Sequence, residues 1–279
     1  MSLEPGKKNA DDRISCRVVC YDSGKSSAVD DVVAVEEPLE IRVAGETVAI
    51  TMRTPGADRA LALGFLYAEG IISGGDDIGR AGHCGRPSTP EFGNVIDVLP
   101  SPGAALDPET IRAGRRGTLT SSACGVCGRE RVDDLVARCR PLARVSRIGI
   151  NMIFAAQTQM LSAQELFAKT GGVHAAAAFS STGEMLACFE DVGRHNAVDK
   201  VVGTLLESAD HLKAEILMVS SRASFEIVQK AVASRIATVV AVSAASSLAV
   251  DLAGAMGITL IGFARKDRMV VYTGGLLDA

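Results

Sequence analysis

Three short β-rich runs stand in the last third of the chain, Ile216–Ser220, Thr238–Ser243 and Thr259–Ala264, with good helix formers between them at Ser224–Ser234 and Ser247–Met256. No other feature narrows the fold as much. A strand separated from its neighbour by a helix pairs with it in parallel, through a right-handed crossover. The pattern predicts an α/β fold with a largely parallel sheet. It also gathers the turns that follow the strands at one edge, where such sheets bind ligands. Just upstream, Ile153 to Lys169 reads as a helix closed by Gly171-Gly172, Val173 to Cys188 as a hairpin turning at Ser181-Thr182-Gly183, and Asn196 to Leu212 as a helix.

The first half is less regular. Residues 14–21 and 31–54 read as strands, and Pro38 to Thr51 alternates around an Ala44-Gly45 hairpin turn. Thr54-Pro55-Gly56 breaks the strand, and Asp58 is placed to cap a helix running through Leu61, Leu63, Phe65 and Leu66 to Ile72. Ser73 to Gly93 reads as Gly-rich loop, Asn94 to Leu99 as a short strand, and Pro100 to Gly117 as irregular. A boundary near Arg144–Arg147 divides the chain into an extension over residues 1–30, a smaller strand-rich α+β domain over 31–145 and an α/β domain over 146–279.

Charge and patterning exclude some classes. A net charge of −4 argues against a general nucleic-acid binder, which needs a basic stripe. Met1 to Asp12 lacks the apolar core of a signal peptide, and no apolar run approaches the ~20 residues of a membrane span. The expectation is a soluble cytoplasmic protein, with neither nucleic acid nor membrane as partner. Seven cysteines in no regular framework suit a reducing compartment, most of them as small buried hydrophobes.

One pair is different. Cys124 and Cys127 lie in Ser121-Ser122-Ala123-Cys124-Gly125-Val126-Cys127-Gly128, just before a predicted helix from Arg129 to Cys139. A helix N-terminus and nearby Arg112, Arg115, Arg116, Arg129 and Arg131 favour the thiolate, and the glycines let a bulky partner approach sulfur. The spacing alone leaves three readings: half of a zinc site, completed for instance by His83 and Cys84; a redox disulfide; or a sulfur-transfer pair.

The second half offers places for phosphate. Arg194-His195 opens one predicted helix, and Ser221-Arg222-Ala223-Ser224 and Ser246-Ser247 follow the first two βαβ strands. Phe263-Ala264-Arg265-Lys266-Asp267-Arg268 follows the third. Free N–H groups at helix starts and bidentate Arg side chains suit anions. Serines there also act as plain caps, and His195 and His174 read equally well as satisfied structural histidines. Neither G-x-x-x-x-G-K-[ST] nor G-x-G-x-x-G is present.

Taken in order, these segments resemble the FdhD family of formate dehydrogenase accessory sulfurtransferases. The resemblance runs through Glu36-Glu37-Pro38-Leu39, Thr51-Met52-Arg53-Thr54-Pro55-Gly56, Cys124-Gly125-Val126-Cys127-Gly128 and Gly172-Val173-His174. It continues over Glu190 to Lys200, Ser221 to Glu226, Ser246-Ser247-Leu248-Ala249 and Gly262-Phe263-Ala264-Arg265. It implies a carrier that takes sulfur from a cysteine desulfurase as a persulfide on Cys124, with Cys127 as its partner. The sulfur passes to the molybdenum bis-guanine-dinucleotide cofactor destined for formate dehydrogenase. It further implies that Phe263 to Arg268 binds that cofactor, that no metal is permanently held, that the C-terminal domain is a three-layer α/β unit similar to the cytidine deaminase fold, and that the protein is a homodimer. One position departs from the family pattern: Phe189 stands where a basic residue is expected before Glu190.

Rival chemistries are weaker. A zinc deaminase needs H-x-E followed by P-C-x-x-C, whereas His174-Ala175-Ala176 lacks the Glu, Ala123 replaces the Pro and the order is reversed. A thiol–disulfide oxidoreductase explains the cysteines but not the cationic second half. A non-catalytic cofactor chaperone with a zinc-held loop remains the other alternative.

Overall fold

The computed structural model describes residues 12–85, 92–104, 141–142, 148–208 and 210–277. The expected boundary near residues 144–147 falls outside them. β1 (Arg13–Asp22) and β2 (Lys25–Ala34) form a two-stranded antiparallel ribbon. β3 (Glu37–Val43) and β4 (Glu46–Arg53) form the expected hairpin, turning at Ala44 and Gly45 with φ of 50° and 83°, the left-handed pair that matches strand twist. β3 also pairs in parallel with β6 (Val95–Pro100), which pairs with β5 (Ile78–His83), giving the order β4-β3-β6-β5. Helix α1 (Asp58–Ala68) covers this sheet, burying Leu61, Leu63 and Leu66 among Leu39, Ile41, Ile96 and Val98. Each such side chain contributes about 1.5–3 kcal/mol by leaving water.

Two expectations fail here. β5 lies inside the stretch expected to be loop, because Gly79 and Gly82 weaken its strand signature. Gly79 is needed, since a Cβ there would come within 2.9 Å of the Pro100 carbonyl oxygen. Asp58 does not cap α1: left-handed Ala57 holds the cap position with no side-chain bond. The Asp58 carboxylate instead accepts a bidentate pair from Arg53 Nε and Nη2, both at 2.9 Å. Arg53 is completely buried and needs that counter-charge.

The second half contains α2 (Ile150–Ser162), α3 (Glu165–Thr170), β7 (His174–Ser180), β8 (Met185–Asp191), α4 (Arg194–Ser208), β9 (Ala214–Val219), α5 (Phe225–Ala233), β10 (Thr238–Ala241), α6 (Ser247–Met256), β11 (Thr259–Arg265) and β12 (Arg268–Thr273). The sheet runs β12-β11-β10-β9-β7-β8. Only β9, β10 and β11 are mutually parallel; β7, β8 and β12 run against their neighbours, so the sheet is mixed rather than largely parallel. Alternate strand residues feed two cores. Ala175, Ala177, Phe179, Ile216 and Met218 face α2 through Ile153, Ala156 and Met160. Ala176, Ala178, Leu217, Val219 and Val239 face α4, α5 and α6. The result is a three-layer α/β arrangement.

The expected single helix from Ile153 to Lys169 is two helices. The break has a cause: Glu190 accepts from the Leu166 and Phe167 amides at 2.8 Å each and so starts α3 afresh. In the sequence, Phe263–Arg268 stands among turns suited to opening a helix and no strand is foreseen after it, whereas β12 follows directly. Lys266, at φ 53°, begins a tight turn that sends the chain back as a strand instead. Among the described residues no helix is long and apolar enough to cross a membrane.

Candidate functional site

The turns after β9, β10 and β11 form one rim at the carboxyl end of the parallel strands, tied together by main-chain bonds. Ala223 N donates to Ala244 O and Ser246 N to Ala223 O, both at 3.0 Å, and Phe263 N donates to Ser243 O at 3.0 Å. This brings Arg222, Ser246, Ser247, Phe263 and Arg265 to one edge, as the strand pattern predicted. Arg222, Ser247, Arg265, Lys266, Asp267 and Arg268 are exposed there. Ser246 caps α6, its hydroxyl accepting from Ala249 N at 3.4 Å, and Arg265 Nε donates to Val242 O at 3.0 Å. Ala264 is fully buried in the core beneath, and its carbonyl accepts from Gln157 Nε2 at 2.6 Å.

Phe263 is the unusual member. Its backbone is left-handed, at φ 52°, in a β-bulge between β11 and β12, and the residue is 39% exposed. An aromatic residue rarely adopts that conformation, and such strain gathers at ligand sites. Gly262 beside it has no room for a side chain: a Cβ would lie 2.8 Å from the Tyr272 ring.

The other cluster joins the starts of α4 and α5. His195 Nε2 lies 3.4 Å from Ser224 Oγ and 3.7 Å from Glu226 Oε2. Arg194 is half-buried, and its Nε finds no partner in the described structure. Burial, then Lys230 and Arg194, push the His195 imidazole down to about 4 despite Glu226. His174 is lowered as well, by burial first and then Arg194. Burial works against the Glu226 carboxylate, but its own amide and the Ser224 hydroxyl outweigh it and hold the group below its ordinary value. His195 is therefore neutral near pH 7 and suited to a neutral hydrogen-bonding group rather than to charge-neutralising phosphate. NMR titration should show an imidazole that stays uncharged until about pH 4. The depressed value has a linked sign: the unfolded chain binds the proton more readily, so this residue's contribution to stability falls as pH drops from about 6.5 toward 4. Charging near pH 6.5 in the folded protein would refute both statements. Glu226 was not singled out from sequence; the signal available was its place two residues after Ser224 at a helix start.

The Glu190–Lys200 stretch has largely a different task. Asp191 accepts from Thr54 N at 3.2 Å, Gly193 N at 2.8 Å, Asn196 Nδ2 at 3.0 Å and Lys200 Nζ at 2.7 Å. Lys200 also donates to Thr54 O at 2.8 Å, and Asn196 Nδ2 to Met52 O at 2.7 Å. Asp199 pairs with Lys230 at 2.6 Å. All of these charges are buried, and they fasten the end of β4 to α4 and α5. Only Arg194 and His195 of this stretch are left to meet a ligand.

Cys124 and Cys127, the arginines around them and Cys139 lie outside the described residues. Of the described cysteines, Cys188 is pushed up to about 11 by burial and then by Glu190, which makes it a poor nucleophile. Among the described residues no group of three or more His, Cys, Asp or Glu side chains is arranged to hold a metal ion.

Comparison with known proteins supplies the remaining link. A crystal structure of a candidate formate dehydrogenase accessory protein from Desulfotalea psychrophila superposes with a TM-score of 0.74 at 23% identity, covering 94% of this chain and 97% of that one, and so shares the fold. A sulfur carrier protein FdhD from Anaeromyxobacter dehalogenans (strain 2CP-C) is 52% identical over 89% of this chain and 88% of its own length. One from Streptomyces coelicolor is 43% identical over 92% and 93%. The model of the FdhD/NarQ family matches residues 34–276, and with relatives this similar over nearly their whole length, the chain belongs to the FdhD/NarQ family.

Proposed function

We propose that the chain is a sulfur carrier serving formate dehydrogenase, loaded by a cysteine desulfurase and unloaded onto the molybdenum bis-guanine-dinucleotide cofactor. The observation that carries this reading is close similarity to proteins named as sulfur carriers over almost the entire chain. The rim of Arg222, Phe263, Arg265, Lys266 and Arg268 supports it, because a cofactor with two pyrophosphates and two guanines needs several cations and an aromatic surface.

In the loading step the Cys124 thiolate attacks the outer sulfur of the donor's persulfide. One S–S bond forms, another breaks, and the donor cysteine leaves as thiolate, with no net oxidation. In the unloading step the Cys127 thiolate attacks Cys124 Sγ and expels hydrosulfide toward the metal, leaving a Cys124–Cys127 disulfide. An external dithiol must reduce that disulfide before the next cycle.

Intact-protein mass spectrometry after incubation with a cysteine desulfurase and cysteine tests the loading step. Wild type should gain about 32 Da, removable by reductant, and Cys124→Ala should gain nothing. Cys127→Ala should load but should not release sulfide. An adduct that survives loss of Cys124 would overturn the assignment. Stoichiometric zinc on the pair, or turnover of a generic disulfide without loading, would return it to the structural or redox reading.

A further inference from the structure

Ser224 and Glu226 open α5 at the inner end of the rim, next to Arg194 and His195 at the start of α4. An acid in the first turn complements the helix dipole, but Glu226 has more around it than that role needs. Its carboxylate accepts from the Ser224 hydroxyl and from its own amide, and an ionised carboxylate has about four acceptor positions. The side chain is 25% exposed, so acceptor capacity is left facing solvent. His195 Nε2, 3.7 Å away, is neutral near pH 7 and leaves the negative charge uncompensated. Arg194 acts on that carboxylate through space, and its buried Nε finds no partner among the described residues. An acceptor pair and a spare donor thus stand side by side.

Their distance from the cationic turn matters. The turn that carries Ser224 is joined to the next by the Ala223–Ala245 bridge, and that one to the last by the bond from Phe263 N to Ser243 O. From the Phe263–Arg265 turn to the Ser224 turn is two strand spacings, roughly 10 Å. Arg265, Lys266 and Arg268 at the outer end are exposed cations that suit phosphate. A nucleotide laid along the rim with its phosphates there reaches the inner end with its base.

We infer that Glu226 selects guanine, its carboxylate accepting from N1–H and the N2 amine of the base while Arg194 donates to O6. This rests on the reading of the rim as the cofactor's site and names the residue that sets its base specificity. Guanine presents two adjacent donors and one acceptor on its pairing edge. A carboxylate meets the two donors with two oxygens, and a guanidinium N–H meets the acceptor. Adenine and cytosine each present a ring lone pair that would face an ionised oxygen. Uracil presents one donor between two acceptors. A site of this kind rejects the wrong base by leaving its own polar groups unpaired.

Isothermal titration calorimetry of the full chain with guanosine, inosine and adenosine diphosphates tests the assignment. Wild type should bind the guanosine form about 100-fold or more tighter than the adenosine form. The inosine form lacks only the N2 amine and should bind about 10-fold weaker than the guanosine form. Glu226→Gln puts a donor where an acceptor stood, so it should weaken the guanosine form by about 10- to 100-fold and leave the adenosine form no weaker. Arg265→Ala should weaken both alike, because both carry the same phosphates. Circular dichroism shows whether Glu226→Gln folds; should it not, Glu226→Ala gives the same reading. Equal binding of the two purines by wild type, or a preference that survives Glu226→Gln, would overturn the assignment. So would a loss shared equally by both nucleotides, the mark of a ribose contact. Failure to bind any of the three would remove the cofactor reading of the rim together with it. The sulfur-carrier reading is judged apart from all of these, by the mass gained at Cys124.

Discussion

Replacing Gly203 with alanine is expected to destabilise the protein by about 3 kcal/mol or more, although alanine is the better helix former by roughly 1 kcal/mol. The reason lies between α1 and α4. A Cβ on Gly203 would sit 1.9 Å from the Ala60 carbonyl oxygen, and one on Gly64 would sit 2.0 Å from that of Asp199. Ala60 and Gly64 are one turn apart on α1, as Asp199 and Gly203 are on α4, so the two backbones meet through small residues at matching spacing. Neither carbonyl can retreat without separating the helices, and that would open the contact between the two halves of the chain. Gly254, on the exposed side of α6, supplies the contrasting case. A Cβ there meets only the Thr273 methyl at 3.7 Å, an ordinary contact, so Gly254→Ala should stabilise by about 0.5–1 kcal/mol. Urea midpoints of the two variants should therefore move in opposite directions. A neutral or stabilising Gly203→Ala would mean that the helices are not locked together at this point.

The outcome for Gly203 also shows what a sequence conceals. The βαβ alternation was legible because each run obeys a local rule: β-branched residues in the strands, helix formers between them, Ser at the helix starts. The Ala44-Gly45 turn was legible for the same reason. What escaped was set by partners distant in the chain. Asp58 has the right residue type and place for a cap, but Arg53 claims its carboxylate. Glu190 divides a predicted helix from twenty-four residues away. β12 was hidden because Lys266-Asp267 reads as a polar helix start, when Lys266 in fact adopts a left-handed turn conformation. The candidate site divides in the same way. Strand order put Arg222, Ser246, Ser247 and Phe263 on one rim, whereas the strain at Phe263 and the neutrality of His195 are properties of the assembled fold.

Loss of Asp191 should cost about 3–5 kcal/mol, against a total stability of about 5–15 kcal/mol for a folded domain. Four donors converge on its carboxylate: the Thr54 and Gly193 amides, Asn196 Nδ2 and Lys200 Nζ. Asp191→Ala takes the shared acceptor from all four in a buried place; Asn196 Nδ2 keeps Met52 O and Lys200 Nζ keeps Thr54 O, but the lysine charge loses its counter-charge, so this should be the more damaging half of the pair. Lys200→Met leaves the carboxylate with three neutral donors and removes a donor from the Thr54 and Glu190 carbonyls, so its cost should be nearer about 2–3 kcal/mol. With both changes together the lysine charge is no longer stranded, and the double variant should be less harmed than the sum of the singles by about 1–3 kcal/mol. Urea unfolding of the four proteins completes the cycle, and strict additivity would sink the idea that these residues act as one lock. The same variants separate a lock from a ligand site. Folded Lys200→Met should still take up persulfide sulfur on Cys124 at the wild-type rate, because Lys200 holds β4 against α4 from a fully buried position. A loading defect in well-folded Lys200→Met would show instead that the Glu190–Lys200 stretch takes part in the chemistry.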